Sequence, residues 1–208
     1  MLTQLLPKLR DAHIVLASSS PRRKEIMAFL GLPYTVHPSQ FAEDLDKKAY
    51  IGRPQDYVMD NAKFKALDVA QSLSSQGKTA DLIIGCDTVV TLDGQIIEKP
   101  SDSAHAVEML TRLSGRKHTV FSGVAMVTDV KDSNASRIFY VATDVTFGKL
   151  SSELIQAYVA SGEPLDKAGG YGIQGSGAVL VQEISGDYYN VVGLPFQRLF
   201  TELQQIFG

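Results

Sequence analysis

The segment IVLASSSPRRKEIMAFLG, Ile14 to Gly31, reads as a strand, a tight turn and a helix. HIVLAS is a nearly continuous apolar run, which predicts a strand covered on both faces. Pro21 suits a first helical position with Ser20 as its cap, and Gly31 suits the position just past the helix end. Arg22 and Arg23 stand in the first turn, where the backbone is already partly positive and acidic residues are the usual choice. Two guanidinium groups there become favourable when an anion occupies the turn: free N–H groups, the dipole and two planar donor forks all match phosphate oxygens. The ordinary alternative is a pair of solvated surface arginines.

Outward from this unit, Tyr34 to Val36 predicts a short strand, and FAEDLDKKAYIGRPQ (41–55) a long polar loop. Val58, Ala62, Ala66, Val69 and Leu73 mark one face of a helix from about Gln55 to Ser74. Lys65 falls near the edge of that face. A lysine there either snorkels to water or reaches into a polar cleft, because it is rarely buried without a partner. DLIIGCDTVVTL and QIIEKP flank Asp93-Gly94, a strong hairpin signal. SDSAHAVEMLTRLSG reads as a helix ending at Gly115. HTVFSGVAMVTDV and RIFYVATDVTF read as strands around the polar KDSNAS. SSELIQAYVASG predicts a helix, GAVLVQEI a strand, and LPFQRLFTELQQIF a closing helix. Strands and helices alternate with hairpins mixed in, which predicts a layered α/β domain on a mixed sheet.

At 208 residues, 44% hydrophobic and 21% charged, the chain is long enough for a full core and is expected to form one domain over 1–208. A formal net charge of -3 and an aromatic content of 8% disfavour a nucleic-acid binder. The lone cysteine, Cys86, excludes an internal disulfide and a cysteine-based zinc cluster. No apolar run nears the ~20 residues of a membrane span, and the polar N-terminus is no secretory signal, so a cytoplasmic location without membrane partners is expected.

A two-residue turn at Asp93-Gly94 pairs Leu92 with Gln95, Val89 with Glu98 and Thr88 with Lys99. Asp87 and Glu98 then share one face and Thr88 and Lys99 the other. Two carboxylates on one face suit a magnesium ion, which takes one or two carboxylates and fills its shell with water and phosphate oxygens. A solvated hairpin with one cross-strand ion pair is the plainer reading. Cys86 has no histidine beside it in sequence and reads as a small core residue. GYGIQG, Gly170 to Gly175, matches GxGxxG, but a polar segment precedes it and a strand follows, so the dinucleotide reading fails. What remains is a glycine-rich loop carrying Asp166, Lys167 and Gln174, with apolar Tyr171 and Ile173 set between the glycines.

ASSSPRR, GCDT, EKP, LSG and EPLDKAGGYGIQG, in this order and spacing, resemble the Maf family of nucleotide pyrophosphatases over nearly the whole chain. The resemblance implies a three-layer α/β fold like that of inosine triphosphate pyrophosphatases, with a cleft beside an elongated mixed sheet flanked by helices. It implies hydrolysis of a nucleoside triphosphate to the monophosphate and pyrophosphate with a divalent metal, Mg²⁺ or Mn²⁺, in a protein that is commonly a homodimer. Carried over residue by residue, Ser18, Arg22 and Lys65 are expected to bind phosphates, Asp87 to act as base on the attacking water, and Lys99 to steady developing charge. An acid from QFAEDLDKK, Glu43 or Asp44, joins Asp87 and Glu98 as a candidate metal ligand. Arg23, Thr88 and Gln174 match the dTTP- and UTP-preferring subgroup rather than the 7-methyl-GTP subgroup, and modified pyrimidine nucleotides are further candidates. Lys167 and Asp166 are expected beside the substrate. The second reading is a non-catalytic nucleotide-binding regulator of cell division, for which Asp87 and Lys99 would be unnecessary.

Overall fold

The computed structural model describes residues 6–128 and 136–208. Three long strands form its spine: β3 (Leu82–Leu92), β5 (Lys117–Val127) and β6 (Ser136–Phe147), paired antiparallel in that order. The short β1 (Ile14–Leu16) runs parallel to β3, and β2 (Thr35–Val36) runs parallel to β1. β4 (Gln95–Ile97) folds back on β3, and β7 (Val181–Ser185) adds to β6, completing a mixed seven-stranded sheet.

Side chains alternate across β3, so its two faces bury different helices. Ile83 meets α2 (Pro54–Ser75) through Ala62, Ala66, Val69 and Leu73. Ile84 and Cys86 face α1 (Pro21–Ala28) and α6 (Phe196–Phe207). Val90 and Leu92 face α3 (Ser103–Leu113) and α4 (Ser152–Ala160). The result is three layers, with α2 alone on one side. Each fully buried Val or Leu in these clusters contributes about 1.5–3 kcal/mol.

Two glycines let α2 lie unusually close to the sheet. A Cβ on Gly85 would stand 2.1 Å from the Ala62 carbonyl oxygen, and one on Gly123 would stand 2.3 Å from that of Val58. Gly123 pairs with Asp87 across β3 and β5, so the point of closest approach lies beside that carboxylate.

The expected elements form with three differences. Glu98 and Lys99 lie beyond β4, so the ladder stops at Val90–Ile97 and their predicted pairing with Val89 and Thr88 is not made. The expected strand GAVLVQEI begins only at Val181, after a 3₁₀ segment over Ser176–Leu180. A five-residue helix, α5 (Tyr188–Val192), was not foreseen. Asp93 and Gly94 take φ of 52° and 75°, the left-handed pair that such a hairpin turn requires. The KDSNAS loop, Ser136 apart, lies outside the described residues.

Candidate active site

On one edge of β3, β1 pairs only as far as Ile84 and β4 begins only at Val90. The five residues between have no strand neighbour on that side. A break of this kind in an open α/β sheet is where ligands collect. A cleft of about 430 Å³ opens there, and of the site residues singled out from the sequence, all but Asp44, the alternative to Glu43, line it.

The acidic wall joins α2 to β3. Lys65 sits on the inner face of α2 and donates to Asp87 Oδ1 at 2.8 Å, and its Nζ is also 2.8 Å from Glu43 Oε2. The Lys65 and Asp87 side chains are 10% and 9% exposed, so the ammonium is held indoors only because two carboxylates meet it. Of the two candidate acids, Glu43 and Asp44, it is Glu43 that reaches this lysine. It does so with φ of 52°, uncommon for a residue with a Cβ. Glu98 stands apart from this pair. Its carboxylate accepts from the Tyr57 hydroxyl at 2.6 Å and is ion-paired with Lys47. Burial, then the bond to Glu98, pushes the Tyr57 hydroxyl well above its ordinary pKa and keeps it a donor.

Among the described residues, no three His, Cys, Asp or Glu side chains converge on one point. Glu98, expected beside Glu43 and Asp87, is engaged instead by Tyr57 and Lys47. Glu43 and Asp87 do converge, since both lie 2.8 Å from the same Nζ. Two hard carboxylates facing a cleft open to phosphate oxygens fit a magnesium-type ion. Cys86 is fully buried and its thiol is pushed up to about 11 by that burial, which fits a core residue and not a nucleophile.

The second wall is the start of α1. Ser20 precedes Pro21 as expected, but its hydroxyl does not cap the helix; its N–H donates instead to Ser18 Oγ at 3.3 Å. The first-turn N–H groups thus have no side-chain acceptor among the described residues. Arg22 is half-buried and has one charge partner among the described residues, Asp166, 3.5 Å away. Arg23 is spoken for: it donates to the Gly193 carbonyl at 2.8 Å, the Cys86 carbonyl at 3.0 Å, Ser18 Oγ at 3.2 Å and Thr88 Oγ1 at 3.0 Å. Thr88 Oγ1 also shares a hydrogen bond with Ser122 Oγ at 2.9 Å. Lys99 is exposed at the cleft and makes no hydrogen bond or ion pair with a described residue.

The glycine-rich segment closes the cleft. Lys167 Nζ lies 2.6 Å from both Asp166 Oδ1 and the Glu163 carbonyl. Partial burial works against the Asp166 charge, but Lys167 and Arg22 outweigh it and hold the carboxyl below its usual range. Asp166 therefore meets cations, where a phosphate oxygen would also be welcome. Tyr171 and Ile173 are buried, and the Tyr171 hydroxyl bonds His118 Nε2 at 2.8 Å. Gln174 lies between buried Ile173 and Gly175, exposed at the cleft, with no hydrogen bond to a described residue. The sequence reading missed Ser122, Asn190 and the Gly193 carbonyl. Of these only Asn190 carried a signal, as the lone amide in the apolar run YYNVV.

The profile of the Maf-like protein family matches residues 13–206. A probable bifunctional dTTP/UTP pyrophosphatase/methyltransferase protein of Homo sapiens is 48% identical over 212 residues, covering 100% of this chain but 34% of its own length. The chain thus spans about a third of that relative. A dTTP/UTP pyrophosphatase of Bacillus cereus (strain AH820) is 49% identical over 192 residues, covering 92% of this chain and 94% of that protein. Among solved structures, a HAM1 protein from Coxiella burnetii aligns over 93% of this chain and 99% of its own with a TM-score of 0.49 and 16% identity. A family profile running almost end to end, and relatives near half identity, meet a cleft lined by four of the five motifs of the resemblance, all but LSG: the chain belongs to the Maf-like family.

Proposed function

We propose that this protein hydrolyses nucleoside triphosphates, dTTP and UTP first among them, to the monophosphate and pyrophosphate, using a single domain. The observation that carries the reading is the buried Lys65 ammonium held between Asp87 and Glu43 beside a cleft lined with cations. A binding-only site has no use for a carboxylate kept at such desolvation cost, which weighs against the non-catalytic regulator.

Asp87 takes the proton of the water that attacks the α-phosphorus. Lys65 fixes its Oδ1, leaving Oδ2, which has no partner among the described residues, to face that water. Negative charge then builds on the phosphate oxygens. Arg22 and Lys99 meet it, the first by exchanging Asp166 for phosphate and the second with nothing to give up. Ser18 and the first-turn N–H groups of α1 hold the chain of phosphates in line. Catalysis of this type is mostly positioning and charge neutralisation, and each such contact contributes about 3 kcal/mol in the transition state.

Glu43 and Asp87 are the residues that would hold a divalent ion, Mg²⁺ or Mn²⁺, which supplies charge neutralisation at the phosphates. The unbonded amide of Gln174 offers a donor and an acceptor to a pyrimidine edge. Arg23 contributes by holding Thr88 and Ser18 in place. The family resemblance extends the reading to a cytoplasmic homodimer. No helix among the described residues is long and apolar enough to cross a membrane.

The test is pyrophosphate release from dTTP, UTP, CTP, 5-methyl-UTP, GTP and 7-methyl-GTP, with and without Mg²⁺. Metal-dependent release from dTTP and UTP that Asp87→Asn abolishes is expected. Binding without release from any of them would leave the regulator.

A further inference from the structure

The carboxylate of Glu163 touches none of the residues assigned to phosphate chemistry, yet it is the centre of a hydrogen-bond clasp. Its Oε2 accepts from the Ser176 N–H at 3.0 Å; its Oε1 accepts from the Gly177 N–H at 3.3 Å and the Tyr158 hydroxyl at 3.1 Å. The same hydroxyl accepts from the Gly172 N–H at 3.0 Å. These bonds grip the chain at 172, 176 and 177, on both sides of Gln174. The packing is equally close. A Cβ on Gly175 would stand 2.5 Å from Glu163 Oε1, and one on Gly177 would stand 2.5 Å from the Gly172 carbonyl oxygen. Ile173, buried, fixes the remaining flank. Gln174 is thus the exposed tip of a loop held on both sides, and its amide lines the cleft with no hydrogen bond to a described residue.

We infer that Glu163 and Tyr158 are positioning residues for specificity: by clasping residues 172–177 they aim the Gln174 amide at the base of the bound nucleotide. This rests on the reading of Gln174 as the group that meets the base. A neutral amide at 163 has one acceptor oxygen and presents N–H donors to backbone N–H groups, so the clasp opens on one side. Displacing the reading group by about 1 Å is enough to lose much of its effect. Because Glu163 and Tyr158 make no bond to Asp87 or Lys65 and do not line the cleft, the clasp governs which base is accepted more than how fast a bound nucleotide is cleaved.

The experiment measures kcat and KM for dTTP, UTP, CTP and GTP in wild type, Glu163→Gln, Tyr158→Phe, Gln174→Ala and Glu163→Gln/Gln174→Ala, all verified as folded by thermal unfolding. The expected result is that Glu163→Gln and Tyr158→Phe each lower the dTTP-over-CTP and dTTP-over-GTP ratios of kcat/KM by about tenfold, through KM, while kcat stays within about twofold. In the Gln174→Ala background, Glu163→Gln then adds nothing to the loss of discrimination. Equal losses for every nucleotide, or the same further loss with Gln174 absent, overturn the inference and leave the reading of Gln174 standing. Unchanged ratios in Gln174→Ala alone overturn that reading and the inference with it. Should Glu163→Gln fail to fold, Tyr158→Phe, which removes one hydroxyl at nearly constant volume, decides alone.

Discussion

Gly85→Ala adds one methyl group, and the structure says where it goes. The new Cβ would stand 2.1 Å from the Ala62 carbonyl oxygen and 3.0 Å from both the nitrogen and the Cβ of Ala66. The hard obstacle is helix backbone, so no side-chain rotation relieves it. To restore an ordinary contact, α2 must rise from the sheet by about 1 Å, and Lys65 rides between those two residues. Overpacking of this kind costs about 2–3 kcal/mol, since α2 must give up close contact along Ala62, Ala66 and Val69. For a chain of this length that is a Tm fall of roughly 4–12 °C. The Lys65–Asp87 bond, 2.8 Å in the native protein, stretches with the helix. A misplacement of about 1 Å at the chemistry lowers kcat by about 10²-fold. Urea unfolding measures the first effect, and pyrophosphate release at 15 °C, where the variant stays folded, measures the second. The double variant Gly85→Ala/Ala66→Gly frees the Cβ contact but leaves the Ala62 carbonyl in place, so it regains little of either. Wild-type turnover in Gly85→Ala, or full rescue by Ala66→Gly, would refute the claim that backbone proximity of α2 sets the site.

Asp87→Asn is expected to cut turnover by about 10³-fold while costing under about 2 kcal/mol of stability, because Lys65 keeps Glu43; urea unfolding beside pyrophosphate release reads both. Arg23→Lys cannot reproduce four bonds from one planar fork; it should cost about 2 kcal/mol of stability and about tenfold in kcat/KM, and retention of both would contradict the bracing role. His118 is held neutral by burial, with its pKa lowered from 6.5 to about 4. The unfolded chain takes up that proton first, so stability is full above pH 6.5 and falls as pH drops towards 4, by about 3 kcal/mol. His118→Phe should flatten the slope of stability in that window. The carboxyls held low, such as Glu163 and Glu202, add their losses only as pH falls below their ordinary value of 4.5.

What the sequence made legible was whatever local chemistry encodes. The Asp93-Gly94 turn appears at its predicted place because few residue pairs accept two positive φ angles in succession. Helical spacing could place Lys65 near the edge of the apolar face of α2, but its pairing with Asp87 and Glu43 was not legible, because those partners come from a distant strand and loop. Ser20 stands at the cap position as its sequence suggested, yet its hydroxyl bonds no first-turn N–H, a side-chain orientation that the residue type alone does not fix. GAVL looked like strand, yet the Gly177 N–H is drawn to a glutamate 14 positions away, which no window of the sequence contains. α5 is too short to display a helical period, although Asp187 does cap it through the Tyr189 N–H at 2.8 Å. The role of Arg23 was the least readable of all, because its partners arrive from 5 to 170 residues away.

That last arrangement constrains how such a protein can diverge. Two carbonyl oxygens and two hydroxyls meet one guanidinium, so replacing residue 23 removes four bonds at a stroke, although Ser18 keeps the Ser20 N–H and Thr88 keeps Ser122. Thr88 and Ser18 can be exchanged for residues that need no donor; the Gly193 and Cys86 carbonyls cannot. A lineage drifting toward a different side chain at this position must therefore change Thr88 first, or rebuild the turn at Gly193, and the reverse order passes through an unstable intermediate. Substitutions at 23 and 88 are bound to be strongly epistatic, and combinatorial libraries that vary the two together will find folded proteins that stepwise mutagenesis never reaches.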